Sequence, residues 1–101
     1  MKRKLKQKIK ITEADIKILC RDYLKIMGWF IFPILQGMGC YKGITDFIAV
    51  KGGRVLFIET KSPTGTHRKE QKEFQEDIEL HGGEYWLVDC WEDILKMISD
   101  R

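Results

Sequence analysis

The chain is poor in the residues that staple or cross-link small folds. Its three cysteines, Cys20, Cys40 and Cys90, are odd in number and lie too far apart for a zinc knuckle or a C-x-x-C pair. That pattern suits reduced thiols and argues against a disulfide framework or a structural zinc. The two histidines, His67 and His81, have no Cys or Ser partner in any hydrolase pattern, so each is expected to sit on the surface or cap a helix rather than catalyse. No apolar run approaches the roughly 20 residues that a membrane span requires. The first ten residues hold neither an apolar stretch nor a small-residue cleavage site, so they do not read as a signal peptide. A soluble, intracellular protein with no membrane contact is expected.

What is present is enough for one core and little more. A length of 101 residues with 44% hydrophobic side chains is one domain's worth of chain, which excludes a two-domain reading and long internal disorder. The charge is unevenly spread. Lys2, Arg3, Lys4, Lys6, Lys8 and Lys10 supply six of the 18 basic residues, and the remaining 12 face 15 acidic ones from residue 11 onward. The net +3 is therefore a basic tail, residues 1–11, on a slightly acidic domain, residues 12–101. Such an arm suits a polyanion such as nucleic acid, while a purely solubilising tail is the plainer alternative.

Thr12-Glu13-Ala14-Asp15 has the form of a capping box. The three- and four-residue spacing of Ile16, Leu19, Cys20, Tyr23, Leu24 and Met27 predicts a helix over 13–27, ended by Gly28. Trp29 to Phe32 reads as a short strand stopped by Pro33, and 36–43 as a loop in which Gly37, Gly39 and Gly43 let backbone approach a ligand or simply flex. Ile44–Val50 and Val55–Thr60 are strand-like and joined at Gly52-Gly53, a hairpin signal. A helix bearing Phe74, Gln75 and Ile78 ends near Gly82-Gly83. After it come a fourth strand, Tyr85–Val88, and a last helix opened by Asp89-Cys90-Trp91-Glu92 with Trp91, Ile94, Leu95 and Ile98 on its apolar face. The expected class is α/β, in the order α-β-β-β-α-β-α, with a central mixed sheet flanked by helices and its last two strands parallel. Trp29, Trp86 and Trp91 are expected in the core.

The hairpin also places chemistry. If Gly52 and Gly53 form the turn, opposed residues number to 105, and Asp46 falls directly opposite Glu59. Opposed Cβ atoms are roughly 4.5–5.5 Å apart, and two like charges held so close destabilise a half-buried sheet unless something neutralises them. A divalent cation would, and an all-oxygen donor set suits Mg²⁺ or Mn²⁺ better than zinc. Glu59 and Lys61 project from one face with Thr60 on the other, so a lysine stands beside the carboxylates, in reach of a water or a phosphate. An Asp46–Lys61–Glu59 ion network is the structural alternative, and a bulge would offset the pairing.

Two more positions join this group. On a helical wheel Glu13 falls within the stripe of Ile16, Cys20 and Tyr23, facing the sheet, although an acidic first turn also complements the helix dipole. Gln71 lies three, four and seven residues before Phe74, Gln75 and Ile78, on the buried side of its helix, where its amide needs partners. Lys42, Arg68, Lys69 and Lys72 cluster near the site in sequence and would hold phosphates, although the last three, mixed with Glu70 and Glu73, also suit a solvated helix face.

Gly43-Ile44-Thr45-Asp46, then Glu59-Thr60-Lys61, then Gln71 in the next helix, all preceded by a helix carrying Glu13, resemble the PD-(D/E)XK nuclease superfamily. More narrowly they resemble the VRR-NUC group in its minimal stand-alone form, known from phages and bacteria. The resemblance spans Thr12 to Ile98 and implies a restriction-endonuclease-like core. It also implies that Asp46 and Glu59 bind Mg²⁺ or Mn²⁺, with the Thr60 carbonyl as a further ligand. Lys61 would then be catalytic, Glu13 would support the metal directly or from behind, and Gln71 would orient the site or the backbone phosphate. One departure is Thr45, where the family often has proline before the aspartate.

The expected function is therefore metal-dependent hydrolysis of DNA phosphodiester bonds. The resemblance implies selectivity for branched DNA, a four-way (Holliday) junction or a flap, and a homodimer. The alternatives are a non-catalytic nucleic-acid-binding module and a nuclease subunit active only with a partner.

Overall fold

A computed structural model describes residues 10–99. Lys2, Arg3, Lys4, Lys6 and Lys8 of the tail lie outside the described residues, and Lys10 is exposed. The elements follow the order α1 (Glu13–Ile26), β1 (Phe30–Pro33), β2 (Phe47–Lys51), β3 (Arg54–Thr60), α2 (Lys69–Leu80), β4 (Glu84–Val88) and α3 (Trp91–Ser99). The sheet runs β1-β2-β3-β4. Its first two pairings are antiparallel and β3–β4 is parallel, with α2 as the crossover.

Local chemistry explains the boundaries. The Thr12 hydroxyl accepts the Asp15 N–H, and the Asp15 carboxylate accepts the Thr12 N–H, so the box expected at the start of α1 is formed. At the other end Gly28 takes φ +89°, and the Trp29 N–H closes onto the Leu24 carbonyl. Pro33 is the last residue of β1 rather than the residue beyond it. It is tolerated there because β1 is an edge strand. Gly52 and Gly53 both have positive φ, +56° and +81°, as a two-residue hairpin turn demands.

Strand alternation sends Leu56, Ile58 and Thr60 to one face and Phe57 and Glu59 to the other. On the first face Ala49, Leu56, Ile58 and Val88 pack with Ile16, Cys20 and Leu24 of α1 and Ile94 and Met97 of α3. On the second, Phe74 of α2 sets its ring against Phe57, Tyr85 and Tyr41, with centroids 6.0, 6.4 and 5.7 Å away. Both faces are covered by helices, as expected for an α/β sheet.

Several sequence expectations are corrected. The second strand begins at Phe47, not Ile44. In α3 the capping carboxylate is Asp93, which accepts the Asp89 N–H, rather than Glu92. Met97 is buried with Ile94 on the core side of α3, while Trp91 and Leu95 are exposed. Trp91 is therefore not core, although its ring meets Tyr23 edge-on at 4.8 Å. On α1, Leu19 and Met27 likewise lie outside the buried stripe. Gly43, at φ +81°, approaches protein and not ligand: a Cβ there would land on the Glu70 carbonyl, in the first turn of α2.

Candidate active site

The buried polar side chains, Thr45, Asp46, Glu59, Thr60, Lys61 and Gln71, gather at the end of β2 and β3 remote from the hairpin turn. The ladder keeps the expected sum of 105 from Lys51↔Arg54 to Phe47↔Ile58 and stops there. The Asp46 N–H then donates to the Ile58 carbonyl, the carbonyl of the residue that opposes Phe47. Asp46 is thus one place out of step, as in a bulge. It does not lie directly opposite Glu59, and its carboxylate turns toward Thr60.

Asp46 is surrounded by donors. Its Oδ2 accepts both the Thr60 N–H and the Thr60 hydroxyl at 2.8 Å. Its Oδ1 accepts Gln36 Nε2 at 3.3 Å and lies 3.6 Å from Lys17 Nζ. Neither Gln36 nor Lys17 is apparent as a site residue in the sequence. Lys17 stands one turn beyond Glu13, a spacing that would have found it. Gln36 sits in a loop, where no periodicity points at anything.

Glu59 has less help. It is 2% exposed, and its Oε2 accepts Gln71 Nε2 at 2.6 Å, with Lys61 Nζ 3.8 Å away. Its Oε1 is buried with no hydrogen-bond partner among the described residues. Burial first, then the Asp46 charge, push its carboxyl up to about 8, against the smaller opposing pull of Lys61. A buried carboxylate with an orphaned oxygen is costly. Gln71 is held in turn, since its Oε1 accepts the Arg68 N–H at 2.9 Å. Its burial with partners on both amide atoms is what its place in the helix predicts.

Glu13 is only partly as expected. Its side chain is 42% exposed and pairs with Lys17 at 3.7 Å, so it does not bury against the sheet. It belongs to the same electrostatic group, because it adds to the raised affinity of Glu59 for a proton. The expected ion network is also rearranged: Lys61 neighbours Glu59, whereas the cation beside Asp46 is Lys17. Of the basic residues proposed to hold phosphates, Arg68 lies close enough to lower the Glu59 proton affinity. Lys42 and Lys72 are exposed, and Lys69 pairs loosely with Glu73 on the open face of α2. His67 bonds the Tyr85 hydroxyl at 2.9 Å, and His81 caps α2 through the Asp77 carbonyl.

The donor set fits a hard divalent cation. Asp46 and Glu59 are oxygen donors, and the orphaned Glu59 Oε1 is the group such an ion would satisfy. A second collection of potential ligands, Asp89, Cys90 and Asp93, has atoms within 4.8 Å of one another at the start of α3, where Asp93 is already engaged as a cap. A recess of about 250 Å³ opens on Asp46, lined by Lys17, Ile34, Leu35 and Gln36 among others. A larger apolar groove of about 790 Å³ runs between α1 and α3, past Ile18, Leu19, Ile26 and Trp91, and includes none of the clustered site residues.

No family model matches the sequence, and no curated protein does. Among solved structures the chain is similar to one described as a VRR_NUC domain, with a TM-score of 0.75 and 17% identity, over 89% of this chain and 98% of that one. The expected fold is therefore the fold the chain adopts. No helix among the described residues is long and apolar enough to cross a membrane.

Proposed function

We propose that this VRR-NUC-like domain, residues 12–101, is a Mg²⁺- or Mn²⁺-dependent endonuclease that hydrolyses DNA phosphodiester bonds. One observation carries the reading: Glu59 is buried beside a second carboxylate, and its Oε1 has no hydrogen-bond partner among the described residues. A purely structural ion network ordinarily pairs such an oxygen, because the large majority of buried acceptors in folded proteins have a partner. Asp46 and Glu59, with the Thr60 carbonyl, would hold the ion, and Glu13 would act from behind through Lys17.

The ion supplies Lewis acidity and a water of lowered pKa. The rest falls to the protein. Thr60 and Gln36 fix Asp46 through hydrogen bonds to both of its oxygens, so the carboxylate needs little reorganisation. Gln71 does the same for Glu59 and leaves Oε1 free to ligate. Lys61, 8% exposed, keeps a cation where charge develops on the transferred phosphoryl group and orients the attacking water. Arg68, Lys42, Lys69, Lys72 and the lysine-rich tail neutralise the flanking phosphates without reading sequence.

Branched DNA as substrate and a homodimer are part of the proposal. Cutting two strands symmetrically calls for two sites related by a two-fold axis, and the exposed Ile18, Leu19 and Ile26 on α1 support a protein partner there. The test is cleavage of a labelled four-way junction and a matched linear duplex with Mg²⁺, Mn²⁺ or EDTA, for wild type, Asp46→Ala and Lys61→Ala. Metal-dependent cutting lost in both variants is expected. Tight binding that ignores chelator, with no cutting, would leave a binding module, and activity only with a co-purifying protein would leave a partner-dependent subunit.

A further inference from the structure

The segment from β1 to Asp46 presents an unusual combination: a tightly tied backbone with bare apolar tips. The Ile34 N–H donates to the Asp46 carbonyl at 2.8 Å. Gln36 Nε2 reaches the Ile44 and Thr45 carbonyls at 3.2 and 3.3 Å as well as Asp46. Cys40 and Gly37 close one turn, Tyr41 and Ile44 a second, and Gly43 is pinned against α2. Yet Leu35 is 90% exposed, Met38 105% and Tyr41 63%. Water gains nothing from such side chains, and held on a fixed loop they mark a contact surface.

Position identifies the partner. Leu35 precedes Gln36, which bonds Asp46, and it lines the same recess as Lys17 and Asp46. A nucleotide whose phosphate reaches those residues brings its sugar and base to Leu35. Phosphate oxygens have no affinity for Leu or Met, but the faces of nucleobases do. In an intact duplex those faces are stacked and hidden, whereas at a branch or flap they are open or cheaply opened.

We infer that Leu35 and Met38, with the exposed edge of Tyr41, form a wedge that packs on unstacked bases beside the scissile phosphate and selects distorted over regular DNA. This rests on the nuclease reading and adds the element that would recognise structure. Tying the loop in advance removes the entropy cost of ordering it on binding. Tyr41 is braced from below by Phe74 at 5.7 Å, and Lys42 beside it offers a charge for the adjoining phosphate.

The experiment places 2-aminopurine next to the branch of a four-way junction and at the matching site of a linear duplex. Full-length wild type, Leu35→Ser/Met38→Ser and the conservative Leu35→Met/Met38→Leu are compared for binding in EDTA and cleavage with Mn²⁺. The expected result is that wild type brightens the junction probe on binding. The serine variant should lose that signal and roughly tenfold of its junction preference, with Mn²⁺ affinity by calorimetry and the salt slope unchanged. The conservative pair should keep all of these. A serine variant with full signal and preference overturns the wedge while leaving the nuclease reading standing. A changed oligomeric state in that variant overturns it too, by making the loop a protein interface. Failure of wild type to bind or cut either DNA defeats the nuclease reading itself.

Discussion

At its turn the β2–β3 hairpin carries Arg54, whose guanidinium makes two 2.8 Å bonds to the Glu84 carboxylate and stacks 5.7 Å over Trp29. At its open end the same hairpin carries Glu59, with one oxygen held by the Gln71 amide and the Lys61 ammonium 3.8 Å away and the other without a hydrogen-bond partner among the described residues. The first end matches opposite charges in good geometry, and its charges serve the fold. The second sets two carboxylates close together in a largely buried place, at the expense of stability, as functional sites do more often than structural ion pairs.

The sharpest way to break this contrast is Glu59→Gln. It should cut metal-dependent cleavage by about a thousandfold and yet raise the metal-free Tm by roughly 5 °C, since it replaces a strained buried acid with a neutral isostere. A lowered Tm with activity kept would place Glu59 among ordinary structural residues. Gly43→Ala comes next. Alanine at positive φ and against the Glu70 backbone should cost about 3 kcal/mol and shift the start of α2, so that Gln71 loses its grip on Glu59. Denaturant melts and cleavage rates measured on the same sample would read both effects.

The pH dependence follows from the raised Glu59 acid. The folded protein keeps this proton up to about 8 while the unfolded chain releases it near 4.5, so over that window the folded state binds more protons. Metal-free stability should therefore fall as pH rises from 5 to 8. Glu59→Gln should remove that slope, and Mn²⁺ affinity should climb over the same range because the ion displaces the proton. Urea melts at three pH values would check the sign, and a rising metal-free stability would contradict it. The smallest effect belongs to the other end: Arg54→Ala should cost about 1–2 kcal/mol in chemical denaturation and leave cleavage of DNA unchanged.

Much of this was legible beforehand because it depends on near neighbours. The Thr12–Asp15 box, the Gly52–Gly53 turn and the two-residue spacing of Glu59 and Lys61 are set by local rules of capping, turn chemistry and pleat, and Gln71 was placed by helical period. Legibility failed where a local slip had distant consequences. One out-of-step residue at Asp46 re-aimed its carboxylate from Glu59 to Thr60. On α3 it is Met97, not Trp91 or Leu95, that joins Ile94 in the core, because packing against the sheet and α1 selects which stripe of a short amphipathic helix is buried. Gly43 looked like freedom for a ligand and proved to be clearance for a helix.

By itself the sequence determined the order of the elements, the hairpin register up to Phe47, and which acid, amide and lysine would share one end of the sheet, since periodicity and turn residues act over a few positions. Tertiary structure alone decided that Gln36 would join Lys17 around Asp46, that Glu13 would stay half in solvent, and that Glu59 Oε1 would have no hydrogen-bond partner among the described residues. Those outcomes depend on how α1 and the 34–46 segment close over the strand ends, and the distances that closure sets between residues far apart in the chain are written in no local pattern.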